Sequence, residues 1–168
     1  EFRRVLFRSK AAENPLVTGI IEKLSVEKNI DMALKVNPTA DKVVAILDDS
    51  VTADAERKNF YSAEAEYPEL EFSEINSSEL TTAQLQQAIS KVDDKTILIY
   101  IVMSKDGSGK QYTSDQALCM IVDYAKVPVY RMVEAGIGDG LLGGNVVSMY
   151  KSGEIAAQMA MDIANGTD

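Results

Sequence analysis

Two hydrophobic periods take turns along the chain. Within residues 25–36, Val26, Ile30, Ala33 and Leu34 share one stripe with Glu27, Lys28, Asp31 and Lys35 between them, so an amphipathic helix is predicted there. Asn37-Pro38 ends it, because the residue before a proline is pushed out of the helical region. Lys42-Val43-Val44-Ala45-Ile46-Leu47 is a short apolar run that predicts a strand buried on both faces. Asp48, Asp49, Ser50 and Thr52 then offer N-caps for a helix over about 53–66, which Tyr67-Pro68 closes. Alternation over residues 70–75 predicts a second strand, and Thr81 or Thr82 caps a helix over 83–91. Residues 96–103 carry the strongest strand pattern. Ser114 opens a helix over 115–125, and residues 127–130 form a shorter fourth strand. A stretch holding Gly136, Gly138, Gly140, Gly143 and Gly144 runs on through Val146 and Val147 to a last helix over 152–165.

Strands separated by helices of this length imply crossover connections and a parallel, helix-covered sheet, an α/β fold. Ligands of such sheets bind beyond the carboxyl ends of the strands. That rule selects four loops, at 48–52, 76–79, 104–113 and 131–140.

Composition narrows the function. A formal net charge of −9 argues against nucleic acid or an anionic membrane surface as partner, since both require a basic face. The chain has no His, which removes the commonest general base and metal ligand. The single Cys119 excludes an intramolecular disulfide and a cysteine cluster for a metal, and its apolar neighbours predict a small buried core residue. No run of eighteen apolar residues occurs. Residues 1–10 hold four of the seventeen basic residues and none of the later patterning, and read as a non-native leader.

The glycine motifs fail their familiar tests. Around Asp106-Gly107-Ser108-Gly109-Lys110, Ser104 and Gln111 stand where a phosphate-binding loop needs Gly and Ser or Thr. Asp106 is the lone acidic ligand where a calcium loop needs several. A tight turn remains, at a strand end that a ligand can reach. The glycines at 136–144 are interrupted by Leu141-Leu142 and lack the dinucleotide fingerprint; close backbone packing or bending explains them better. Ser50 and Thr52 at a helix start either cap it or bind an anion. Asp49 and Glu134, in loops on the ligand side, are either solvated carboxylates or partners for a ligand ammonium. No nucleophile–base pair assembles without His unless Lys or a carboxylate serves, so catalysis is the weaker expectation.

Several segments, in order, resemble the ABC-transporter substrate-binding family with a type I periplasmic-binding-protein fold. They are Val17-Thr18-Gly19-Ile20, Asn37-Pro38-Thr39-Ala40-Asp41-Lys42-Val43-Val44, the turn from Met103 through Asp106-Gly107-Ser108-Gly109-Lys110 to Thr113, Val127-Pro128-Val129-Tyr130, Gly138-Asp139-Gly140-Leu141-Leu142-Gly143-Gly144, and Ser152-Gly153-Glu154-Ile155-Ala156. Within that family the chain looks most like the version that serves as the sensor of bacterial histidine kinases and diguanylate cyclases. It departs from that version at Val133, Glu134 and Gly136, where aromatic residues and an Asp are frequent.

The resemblance implies a Rossmann-like lobe: residues 14–19 as a first hinge crossing, 20–135 as the second lobe, and 136–168 as hinge and return to a first lobe whose main body lies outside the sequence. It implies an extracytoplasmic protein that binds a small solute between lobes without a cofactor or metal. Expected contacts are Ser50 and Thr52 for an anion, Ser104, Asp106 and Tyr112 on the loop after the strongest strand, and Glu134 for a cation. Gly136, Gly138 and Gly140 would form the hinge. The partner is then a membrane signalling module or, in a transport role, an ABC permease. An α/β enzyme is the third alternative.

Overall fold

The computed structural model describes residues 18–20 and 22–166. The chain divides into two compact units, one of Ser25–Val146 and one joining Glu1–Leu24 to Val147–Asp168. The expected leader at 1–10, and most of the expected crossing at 14–19, lie outside the described residues.

The larger unit is built on a parallel sheet of β1 (Lys42–Leu47), β2 (Glu71–Asn76), β3 (Thr96–Tyr100) and β4 (Val129–Arg131) in the order β2-β1-β3-β4. Its helices are α1 (Val26–Val36), α2 (Val51–Ser62), α3 (Thr82–Ser90) and α4 (Ser114–Tyr124). All five residues of β3 are buried, as a central parallel strand requires. Ile46, Leu98, Tyr100 and Val129 pack with Leu85 and Ile89 of α3 and Leu118 and Ile121 of α4. The alternate residues Val43, Ala45, Leu47, Ile97 and Ile99 are equally buried and turn to the opposite face, covered by α1 and α2. This is the parallel, helix-covered α/β sheet that the hydrophobic pattern predicts, and the Rossmann-like lobe that the family resemblance implies.

Local chemistry sets the ends. α1 and β1 occupy the predicted stretches. α2 starts two residues before the expected position because the cap is Ser50, whose hydroxyl accepts the Ala53 amide at 3.2 Å, and Ala63–Glu66 continue as a 3₁₀ turn. α3 and α4 each open with a capping box, Thr81 with Gln84 and Thr113 with Gln116. β3 stops at Tyr100, three residues short of the pattern's end. After Ile101 donates to the Ile46 carbonyl at 3.0 Å, the chain is drawn off the sheet by a bond from the Ser104 amide to Asp48.

Cys119 corrects an expectation. It is exposed, because the buried stripe of α4 is Ala117, Leu118, Met120 and Ile121, and position 119 falls on the opposite side of the helix. In the smaller unit, α5 (Met149–Ala164) begins three residues before its predicted start, where the Ser148 hydroxyl accepts the Lys151 amide at 3.2 Å.

Candidate functional site

From β1 the chain crosses to β2 on one side, and from β2 it returns past β1 to β3 on the other. The loops after β1 and β3 therefore diverge, which makes the crevice between their carboxyl ends the topological switch point where α/β sheets bind ligands.

Asp48 lies at that point, fully buried. Its Oδ1 accepts the Ser50 amide at 2.9 Å, and its Oδ2 accepts the Ser104 amide at 2.8 Å and the Ser104 hydroxyl at 2.5 Å. Burial works to raise its pKa, but the bonds from Ser104 and Ser50 outweigh it and hold the carboxyl below its ordinary range. One carboxylate thus binds the start of α2 to the loop after β3. Ser50 caps α2, and Thr52 is exposed in the first turn, where backbone N–H groups lack intrahelical acceptors.

A second buried carboxylate orders the next loop. Asp106 is 2% exposed. Its Oδ1 accepts the Ser108 amide, the Ser108 hydroxyl and the Lys110 amide at 2.9, 2.6 and 3.1 Å. Its Oδ2 accepts the hydroxyls of Thr82 and Tyr112 at 2.6 and 3.0 Å. Burial opposes ionisation here too, and the donors from Ser108, Thr82, Tyr112 and Lys110 override it, leaving the carboxyl far below the ordinary range. A carboxylate offers about four lone-pair positions, so five donors leave no acceptor capacity for a solute. Gly107 is required beneath this turn: a Cβ there would stand 2.9 Å from the backbone of Ser78, Glu79 and Leu80.

The loop after β2 joins the same assembly. Ser77 donates to the Lys105 carbonyl at 2.8 Å, and Ser78 accepts the Asp49 amide at 3.1 Å. Asp49 itself accepts from Asn76 at 2.9 Å and from Arg57 at 3.3 Å. Glu134 lies in the loop after β4, half-buried, and its carbonyl accepts the Ile137 amide at 3.2 Å. Gly136, Gly138 and Gly140 all have positive φ, at 90°, 94° and 105°. Gly140 also needs its missing side chain, because a Cβ would lie 2.6 Å from Val122. At the end of β4, Arg131 is buried with its guanidinium carbon 4.5 Å over the Tyr100 ring.

Ser50 and Ser104 are therefore brought together through Asp48, and Asp106 and Tyr112 form a separate cluster with Thr82. Glu134 stands apart in sequence, on the loop after β4.

The ABC transporter substrate binding protein family matches the chain over residues 5–168. The chain belongs to that family. No curated relative and no solved structure matches it.

For an ABC substrate-binding protein the missed residues matter most. Asp48 reads in sequence as one of several cap candidates, yet it directly follows three buried positions, Ala45, Ile46 and Leu47, and is buried with them. Arg131, a cation between the buried Tyr130 and Met132, departs from the strand's apolar pattern. Thr82 was weighed only as a cap; its hydroxyl is instead a ligand of Asp106.

Proposed function

We propose that this chain binds a small solute reversibly at the carboxyl edge of its sheet, as the extracytoplasmic sensor of a membrane signalling protein. The observation that carries the solute site is the Asp48–Ser104 bond, which fixes the two divergent loops of the switch point to one another. A wall held in place before binding costs little ordering when the solute arrives. Solute binding is what membership of the family implies. The sensor role rests on the resemblance of the chain's segments, in order from Val17 to Ala160, to sensor versions of the family, and the importer role is its alternative.

Proposed contacts are Ser50 and Thr52 at the start of α2, Ser104 beside them, and Glu134 for a cationic group. Asp106 and Tyr112 act as framework, holding the 104–113 loop in shape. Gly136, Gly138 and Gly140 serve as the bending segment when a cleft closes. No covalent step is involved, and turnover of the solute is not expected.

A thermal-shift screen of amino acids, nucleosides and sugars on the full-length protein tests this, because a ligand that binds only the folded state raises the melting temperature with concentration. Saturable stabilisation by one class, reduced by combined Ser50→Ala and Glu134→Ala substitution, is expected. An undiminished shift in that double variant rejects the site. A transmembrane helix and a kinase or cyclase domain encoded after Asp168 in the native gene favours the sensor; a stop codon soon after favours the importer.

A further inference from the structure

Arg131 ends β4 directly beside Tyr100, the residue that ends β3 and is its register partner. It is only 9% exposed. Its Nε is buried with no hydrogen-bond partner, and among the described residues no carboxylate forms an ion pair with it. Arg57 shows the ordinary alternative: it bonds Glu74, Asp54 and Asp49 together. Stacking on Tyr100 compensates Arg131 in part, but a ring face accepts none of its N–H groups. Burial draws its pKa down, with Tyr100 opposing, yet a guanidinium stays charged at any physiological pH.

A buried cation with no ion pair among the described residues is expensive to retain, and its position is informative. It stands at the carboxyl edge of the sheet, on the strand next to the switch point. Gly136 packs close to it: a Cβ there would sit 3.3 Å from Nη1 and 2.9 and 3.0 Å from Leu141 and Leu118, so only glycine lets the loop after β4 come this near the guanidinium. In a chain of net charge −9, such a group is what would select a negative ligand.

We propose that Arg131 is an anion-binding residue of the solute site, taking an oxyanion of the ligand, a carboxylate or a phosphate, on the unpartnered Nε–H edge of its guanidinium while Tyr100 covers one face. The proposal rests on the solute-binding function above and adds the chemical class of the solute. A planar guanidinium offers two parallel N–H groups to such an anion, which an ammonium cannot reproduce.

The test uses full-length protein with ¹⁵N-labelled arginine, titrated with sodium acetate, sodium phosphate and sodium chloride at equal ionic strength. The Arg131 Nε–H resonance is assigned by its loss in Arg131→Lys. Acetate or phosphate should shift it saturably, and chloride should not. The same anions should raise the melting temperature of the wild type and not of Arg131→Met. In chloride, Arg131→Met should melt within about 2 °C of the wild type or above it, since Met removes an unpaired buried charge and keeps the bulk. A silent Nε–H resonance overturns the proposal whether or not either variant folds. So does an Arg131→Met protein that melts several degrees low in chloride and is still stabilised by the anions. If neutral solutes from the screen stabilise wild type and Arg131→Met equally, solute binding stands and the anion role falls. If nothing stabilises the wild type and the resonance is silent, both fall.

Discussion

Asp48 accepts two hydrogen bonds from Ser104, a residue 56 positions later in the chain. The pair sits where β1 and β3 release their loops to opposite sides of the sheet. A buried carboxylate is tolerated there because every contact it makes is a donor: two amides and one hydroxyl. Its role is to give the crevice a fixed shape before any solute arrives.

Removing that shape should be measurable. Asp48→Asn keeps the volume but turns an amino group towards donors at Ser50 or Ser104. A loss of roughly 2–3 kcal/mol in unfolding free energy is expected. Ser104→Ala removes only the hydroxyl bond and should cost about 1–2 kcal/mol. Urea denaturation checks both values. Equal stability of Asp48→Asn and wild type would mean that the carboxylate is not charged in the folded state.

Acid should act through two groups. Asp48 and Asp106 both have folded pKa values below the ordinary carboxylate value. The unfolded chain therefore takes up protons first as pH falls. The stability these groups contribute is complete above the unfolded pKa of about 4 and is lost progressively below it, down through their folded values. Melting temperature should be insensitive to them above about pH 5 and fall steeply between about pH 4 and pH 2. Asp106→Asn should start lower and show a shallower acid limb. An acid limb of unchanged steepness would count against the five-donor arrangement at Asp106.

The fold was largely legible, because β1, β3 and α1 are coded by local runs of apolar residues whose period needs no tertiary information. Capping residues placed helix starts to within a few positions, and Ser50 and Thr113 show where a nearby side chain moved one. The site was less legible. Whether Ser104 meets Asp48, or Arg131 meets Tyr100, depends on β1 lying beside β3 and β3 beside β4, and strand order is not written in any local window. Asp106 illustrates the converse. A loop acid at a strand end reads as a ligand contact, and only the five donors around it disclose that the loop itself uses it.

Gly144 offers a test of close packing. A Cβ there would run into Oδ1 of Asn29, whose amide group donates to the Ser25 and Asn145 carbonyls at 2.7 and 3.0 Å. Gly144→Ala should cost roughly 1–3 kcal/mol through overpacking. Asn29→Ala loses the two bonds but vacates the space. The double variant should therefore be less destabilised than the sum of the singles, by on the order of 1 kcal/mol. Strict additivity in a double-mutant cycle would show that segment 144–146 does not rest on α1.

Cys119 reports on the rotation of α4. With Ala117, Leu118, Met120 and Ile121 in the core, its thiol is on the outer side of the helix. A maleimide should label it fully under native conditions, with little change in melting temperature. Cys119→Ser should alter stability by less than about 0.5 kcal/mol, as expected for a surface position. One residue corresponds to about 100° of helix rotation, so burying this thiol would take a rotation of about that size. Labelling seen only in denaturant would mean that α4 packs Cys119 against the sheet, and that Leu118 or Met120 occupies the surface in its place.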